Sequence, residues 1–118
     1  MKKLALLFVC FTTSFFCQTN TEVHAFDISK DREKYLLENG KNISNNESYD
    51  SQPFFYDDNK VIFSSSRNGN TDIVFYDLND GTKRFVSETK NGGEYSPQRI
   101  PNSKNISAVR LDNSGLQR

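Results

Sequence analysis

The chain of 118 residues carries 15 basic and 15 acidic side chains, so its formal charge at neutral pH is zero. Because no run of basic residues is visible either, nothing suggests nucleic acid or an anionic membrane surface as a partner. The length allows one domain at most, and the part that follows the apolar N-terminus is polar, rich in Asn and supplied with aromatic residues, which is typical of a β-rich soluble domain.

The N-terminal segment has the pattern of a secretory signal. Met1-Lys2-Lys3 gives a positive start, and the stretch from Leu4 to Phe16 is mostly apolar but too short and too interrupted for a permanent membrane span. We predict a signal peptide over residues 1–18, export to the periplasm or the extracellular space, and no transmembrane segment in the mature chain. Both cysteines, Cys10 and Cys17, fall in this leader, so the remainder has no disulfide and no thiolate metal site.

Three positions compete for the end of the leader. Val23-His24-Ala25 has the small-x-small pattern of a signal peptidase site, Cys17 is a candidate for lipidation, and the leader could end simply at residues 17–19. Cleavage after Ala25 would divide a repeated motif, and the bulky Phe15-Phe16 pair disfavours a lipidated cysteine. We therefore favour cleavage at residues 17–19.

Two self-matches run through the rest of the chain. Residues 20–28 match residues 70–78 at seven of nine positions, with an offset of 50. With an offset of 44, Pro53 and the polar turn that ends in Lys60 match Pro97 and the turn that ends in Lys104. A period in the forties, made of short strands and turn clusters, is the signature of β-propeller blades.

This period predicts one whole blade, flanked by parts of two others. The turn clusters are rich in Asp, Asn and Gly, which tolerate positive φ and bond their own backbone. The second blade begins at Pro97, and residues 20–28 and 42–44 give a preceding strand pair whose charged connector, residues 29–41, we interpret as a long hairpin loop. The four predicted strands of the whole blade are Pro53–Tyr56, Lys60–Ser66, Thr71–Leu78 and Lys83–Ser87.

These motifs resemble the TolB-type, WD40-like β-propellers of the bacterial cell envelope. The resemblance is carried by Gln52-Pro53-Phe54-Phe55 with Asp57-Asp58-Asn59-Lys60, by residues 62–69, and by Asp72-Ile73 with Tyr76-Asp77-Leu78. Phe55 stands where the family tends to have Trp. The resemblance implies an all-β fold of antiparallel four-stranded blades in an incomplete propeller. It implies that residues 19–118 form a partial propeller. Residues 19–44 are then a strand pair of the closing blade, residues 49–87 are blade one, and residues 94–118 are the start of blade two.

In such propellers the first strands commonly pair with the last blade and close the ring. A ring needs at least about four blades of forty-odd residues, so we expect the chain to be an N-terminal fragment of a longer protein. A second hypothesis is a short secreted β-domain that is complete at Arg118.

The remaining chemical motifs favour structural interpretations. His24 is the only candidate general base and lies within a predicted strand, and Ser64-Ser65-Ser66 lacks the Gly-x-Ser-x-Gly elbow of a nucleophile. Asp77 to Gly81 resembles a calcium loop only faintly, since its Gly comes early and no closing Glu follows. We predict no catalytic residue, no metal site and no cofactor.

The function that the resemblance implies is binding. Loops at the blade ends form a rim around a central channel, and the candidate rim residues in the loops 45–52 and 88–96 are Tyr49, Asp50, Gln52, Glu94 and Tyr95. We expect a non-catalytic scaffold for a protein, peptide or glycan partner in the envelope, although the two tyrosines could instead pack between blades. The alternative is the N-terminal propeller of a larger enzyme, such as a prolyl-oligopeptidase-like peptidase.

Overall fold

The computed structural model describes residues 20–117, so the predicted signal peptide and Cys17 lie outside the described residues. The described part is all-β, with eight strands in three antiparallel sheets, as predicted for the fold class. It contains no helix that is long and apolar enough to cross a membrane. The strands are β1 (His24–Asp31), β2 (Lys34–Asn42), β3 (Asp50–Asp57), β4 (Lys60–Arg67), β5 (Asn70–Asp77), β6 (Lys83–Phe85), β7 (Gly93–Arg99) and β8 (Ile106–Leu111).

The central sheet is a four-stranded meander in the order β3-β4-β5-β6, which confirms the four strands predicted between Pro53 and Ser87. Its tight connections follow from the turn residues. Asn68 and Gly69 join β4 to β5 with φ values of 53° and 79°, a left-handed pair that Asn and Gly adopt at low cost. At the end of β5, the Asp77 side chain accepts a hydrogen bond from the Asn79 backbone N–H at 3.0 Å, which closes the turn locally.

The first hairpin differs from its prediction. Residues 29–41 form no loop, because β1 continues to Asp31 and β2 begins at Lys34, with only Arg32 and Glu33 between them. Ile28 lies opposite Leu37 in the register, and such cross-strand apolar pairs stabilise a hairpin even where charged residues dominate the sequence. Arg32 adopts the left-handed φ of 54° that this tight turn requires.

Apolar residues pack against both faces of the central sheet. On one face, Phe63 and Val74 pack against Val23 and Ile43 at the base of the first hairpin. Alternate residues point to the opposite face, where β7 runs across β3, β4 and β5 and Ile62 is fully buried. The core therefore consists of two apolar layers, one on each side of a single sheet.

β3 and β7 share a backbone irregularity that repeats with an offset of 44. The pairing of β3 with β4 shifts between Ser51 and Phe54, and the pairing of β7 with β8 shifts at the corresponding place. Gln52 and Ser96, which correspond at this offset, both have a left-handed φ, of 56° and 51°. Such bulges bend and twist a strand, so the two strands bend at equivalent positions.

Candidate functional site

The five predicted rim residues lie mainly in strands, not in the loops where they were expected. Asp50 and Gln52 belong to β3, Glu94 and Tyr95 belong to β7, and Tyr49 makes an isolated parallel bridge with Thr21. Tyr49 and Tyr95 do not occupy equivalent positions, because the shared bulge pairs Tyr95 with Ser51 at the offset of 44.

Gln52 and Tyr95 are brought together at one cavity. They line a cavity of about 430 Å³ whose other walls include Val109 and Leu111 of β8. The Gln52 side-chain Oε1 accepts two hydrogen bonds, from the Ser64 hydroxyl at 3.1 Å and from the Ser96 backbone N–H at 2.8 Å. Gln52 therefore ties the central sheet to β7 and also reaches the cavity wall.

Asp50 is a buried carboxylate, with 1% of its surface exposed. Within the described residues, neither of its carboxylate oxygens accepts a hydrogen bond. Burial raises the pKa of the Asp50 carboxyl, and the negative charge of Glu22 raises it further. The polar side chains of Ser65 and Asn46 and the positive charge of Lys83 lower this pKa in part. Asp50 therefore lies beneath the surface, at the junction between the first hairpin and the central sheet.

Glu94 corresponds to Asp50 at the offset of 44 and lies at the junction on the other side. Its Oε1 accepts a hydrogen bond from the Thr89 hydroxyl at 2.5 Å and lies 3.9 Å from the Arg110 guanidinium. Its Oε2 is buried and has no partner among the described residues. Each junction thus contains one carboxylate with at least one oxygen that accepts no hydrogen bond among the described residues. The carboxylate is that of Asp50, at the start of β3, or that of Glu94, at the start of β7.

A second carboxylate marks each junction through a repeated hydrogen-bond network, which we call the acid–serine latch. In the first latch, the Ser44 hydroxyl accepts a bond from the Val23 N–H at 2.9 Å and donates to Glu22, whose carboxylate also accepts from the Asn46 N–H at 3.2 Å. Because of these bonds the pKa of Glu22 is lowered, although burial opposes the change.

The second latch has the same connections. The Ser87 hydroxyl accepts a bond from the Ile73 N–H at 2.9 Å and donates to the Asp72 carboxylate at 3.4 Å. Asp72 also accepts from the Thr89 N–H at 2.8 Å. The repeat in the sequence paired Glu22 with Asp72 but did not identify the two serines. A second match, with an offset of 43, pairs Ser44 with Ser87 and could have identified them.

The residues weighed for catalysis are dispersed. His24 is exposed and its ring stacks on Phe26 with 6.2 Å between the centroids, whereas Ser64 is buried and donates to Gln52. The Asp77 carboxylate accepts bonds from Asn79 within its own turn. Across residues 20–117, no three His, Cys, Asp or Glu side chains come together in a way that could hold a metal ion.

Comparison with known proteins assigns no family to this arrangement. No protein-family model matches the sequence, and no curated protein matches it significantly. The repeated geometry of the chain itself is therefore the basis for a functional proposal.

Proposed function

We propose that the chain is part of an exported, non-catalytic β-propeller of the TolB-like type, which serves as a binding scaffold for a protein, peptide or glycan partner in the cell envelope. The observation that carries this proposal is the acid–serine latch, which occurs once at the base of the first hairpin and once in the outer half of the central sheet with equivalent donors and acceptors. A radial array of blades consists of sheets that repeat the same internal connections.

The latches relate the first hairpin to the outer half of the central sheet. The Ile43 N–H donates to the Val23 carbonyl at 2.9 Å, and the Val86 N–H donates to the Ile73 carbonyl at 2.8 Å. In this scheme β1 and β2 correspond to β5 and β6, and are the third and fourth strands of a blade. The shared bulge likewise supports the proposal that β3 and β7 are the innermost strands of two successive blades.

The first hairpin has an exposed apolar face, which a closed ring would cover. Ile28 and Leu37 lie opposite each other and each is 67% exposed, as is Tyr35 on the same face. In a closed ring, further strands would pair with the free edge of β1 to complete the closing blade, and the blade before it would cover this face. A face of this composition is costly to leave in water, at about 25 cal/mol for each Å² of apolar surface.

The proposed binding surface is the cavity beside Gln52 and Tyr95, because the innermost strands of propeller blades face the central channel. Its side chains offer amide and phenol groups above an apolar wall, which suits recognition without catalysis. Asp50 and Glu94 do not line this cavity, and in this scheme they belong to the junctions.

The test is site-specific photo-crosslinking in the cells that produce the protein. A benzophenone amino acid replaces Tyr95 in the full gene, and the matched control places it at the exposed Asn79, in the turn after β5. We expect a discrete adduct in the envelope fraction from the Tyr95 position and none from Asn79. Equal labelling at both positions, or a chain found only in the cytoplasm, would contradict the binding function.

The same samples test the ring. The intact mass of the protein before irradiation should be about 30 kDa or more, as expected for about six blades of forty-odd residues. A mass that corresponds to the present chain alone would remove the closed ring from the proposal unless several copies assemble.

A further inference from the structure

Asn-Gly is the dipeptide in which an asparagine side chain reacts most readily with its own backbone, and it occurs three times in the chain. The copies are Asn39-Gly40, Asn68-Gly69 and Asn91-Gly92. Because glycine has no Cβ, its backbone nitrogen can approach the side-chain carbonyl carbon of the preceding asparagine without a steric clash. The three dipeptides are identical, so a difference in their reactivity would come from the fold.

Asn68 and Gly69 form the open copy, in the two-residue turn between β4 and β5. Arg67 and Asn70 pair at the ends of these strands, and both turn residues are exposed. A Cβ added at Gly69 would meet no atom within 4 Å. Among the described residues, neither the Asn68 side chain nor the Gly69 N–H forms a hydrogen bond. The groups that react with each other are therefore unrestrained at this turn.

The neighbours of β4 are in place on both faces of the sheet and leave this turn accessible. On one face the Asn46 side-chain amide donates to the Ser66 carbonyl at 2.9 Å, and on the other β7 contacts β4. Asn68 and Gly69 lie beyond these contacts, at the strand ends. Sheets that stack face to face leave such connecting residues at the surface.

Asn39-Gly40 lies within β2 and is closed. The Asn39 side-chain amide donates to the Asp27 carboxylate at 2.7 Å, across the first hairpin. The Phe26 ring covers Gly40 so closely that a Cβ added there would lie 2.5 Å from the ring. A reaction at this copy therefore requires β1 to separate locally from β2.

Asn91-Gly92 is closed by the end of β8. The Asn91 carbonyl accepts a hydrogen bond from the Arg110 guanidinium at 3.2 Å, and a Cβ added at Gly92 would overlap the Leu111 carbonyl. The backbone of Gly92 is thus packed directly against that of β8. A reaction at this copy requires the segment before β7 to move away from β8.

From these differences we propose that Asn68 is a site of spontaneous deamidation, which the fold permits at this turn and suppresses at the other two Asn-Gly pairs. The Gly69 backbone nitrogen loses its proton and bonds to Cγ of Asn68, while the bond from Cγ to Nδ2 breaks. The side-chain nitrogen leaves as ammonia and takes up that proton. Water then opens the resulting succinimide at one of its two carbonyls, which gives aspartate or isoaspartate.

The inference does not depend on the proposed binding function, since the reaction needs no partner and no cofactor. It does require rotation of the Asn68 backbone away from its left-handed φ of 53°. Only the two exposed turn residues have to move for this, and loops move readily in the folded state. At the other two copies, contacts between strands must break first.

The product changes both the charge and the length of the turn. The new carboxylate enters a cavity of about 610 Å³ that Arg67 and Lys90 also line, where it can compete with Glu88 for the Arg67 guanidinium, at present 3.1 Å away from Glu88. Isoaspartate in addition inserts a methylene group into the backbone. A turn lengthened in this way no longer holds Arg67 directly opposite Asn70, because turn length fixes the register of a hairpin.

The test is incubation of the purified full chain at mildly alkaline pH, followed by trypsin digestion and mass spectrometry. Trypsin cleaves after Lys34, Arg67 and Lys90, so each Asn-Gly pair falls in a different peptide and serves as a matched control for the other two. Electron-transfer fragmentation locates the change and distinguishes aspartate from isoaspartate. A parallel incubation in concentrated urea removes the fold.

In the folded chain we expect Asn68 to react at least about tenfold faster than Asn39 and Asn91, which react only through local opening. In urea the three positions should react at similar rates. Similar rates in the folded chain would overturn the proposal, because the fold would then make no distinction. Absence of reaction at Asn68 in the folded chain, with reaction of all three in urea, would overturn it as well.

Two variants at position 68 separate the chemistry from its structural effect. Asn68→Gln should abolish the reaction there and leave the rates at Asn39 and Asn91 unchanged. Asn68→Asp supplies the charge without the extra methylene, so hydrogen exchange at the Asn70 amide should stay close to that of the parent. Exchange at Asn70 should be faster in the isoaspartate fraction. Equal exchange in that fraction and in the parent would show that the turn does not depend on its length.

Discussion

Ser44 and Ser87 occupy equivalent positions, two residues beyond the ends of β2 and β6. Each serine hydroxyl accepts a hydrogen bond of 2.9 Å from the backbone N–H of an apolar residue, Val23 or Ile73, and each donates to a carboxylate that precedes that residue by one position. Both apolar residues are buried. Since a buried N–H without an acceptor is costly, the serine is a structural requirement of each junction.

The first prediction concerns the second latch. Ser87→Ala leaves the Ile73 N–H without its acceptor, so we expect the free energy of unfolding to fall by about 1–3 kcal/mol. Hydrogen exchange at the Ile73 amide should also become faster. The control Ser107→Ala, at an exposed position in β8, should stay within about 0.5 kcal/mol of the parent in urea unfolding. Equal losses in the two variants would mean that the hydroxyl at position 87 has no special role.

The strands were predictable from turn residues and spacing, and the junctions were not. Clusters such as Asn68-Gly69 mark where a strand must end, so the bounds of β4 and β5 followed from local sequence. The first hairpin was not predicted, because Arg32-Glu33 does not have the residues typical of a turn. Cross-strand pairs such as Ile28 with Leu37 can be recognised only once the register is known.

The candidate binding surface illustrates the same limit. Gln52 was predicted as a rim residue, but its role in tying β3 to β7 depends on a bulge that no local sequence pattern predicts.

The second prediction addresses the core layer beneath the first hairpin. Phe63 is fully buried, so Phe63→Ala should lower the free energy of unfolding by about 3–5 kcal/mol, through lost apolar contact and the cavity left behind. In a small domain whose total stability is about 5–15 kcal/mol, this loss is large. Phe55→Ala is the matched control, because Phe55 is 63% exposed and should cost less than about 1 kcal/mol. Similar urea midpoints for both variants would contradict the proposed core.

The third prediction tests the link between the central sheet and β7. Gln52→Ala removes the acceptor of both the Ser64 hydroxyl and the Ser96 N–H, so we expect a loss of about 1–2 kcal/mol. Exchange at the Ser96 amide should rise more than exchange in β5, because the bond holds the bulge of β7. The exposed Gln98 supplies the control, Gln98→Ala. An unchanged Ser96 exchange rate in Gln52→Ala would show that the side chain does not join the sheets.

The last prediction is a pH dependence at the first junction. The pKa of Asp50 is raised in the folded state by burial, so its ionisation opposes folding. Its unfavourable contribution therefore develops as the pH rises from the unfolded pKa, about 3.9, through the higher folded pKa. Asp50→Asn removes this contribution. The stability of the variant relative to the parent should accordingly increase over that pH range and then level off.

Glu22 provides a control of opposite sign at the same junction. Its pKa is lowered in the folded state, so its ionisation favours folding and its contribution is lost as the pH falls through the folded pKa. Glu22→Gln should therefore lose stability relative to the parent as the pH rises towards about 4.3, the unfolded pKa. Urea unfolding of the three proteins between about pH 3 and pH 8, at one ionic strength, measures both differences. Parallel pH profiles for Asp50→Asn and the parent would show that the buried carboxyl does not control this junction.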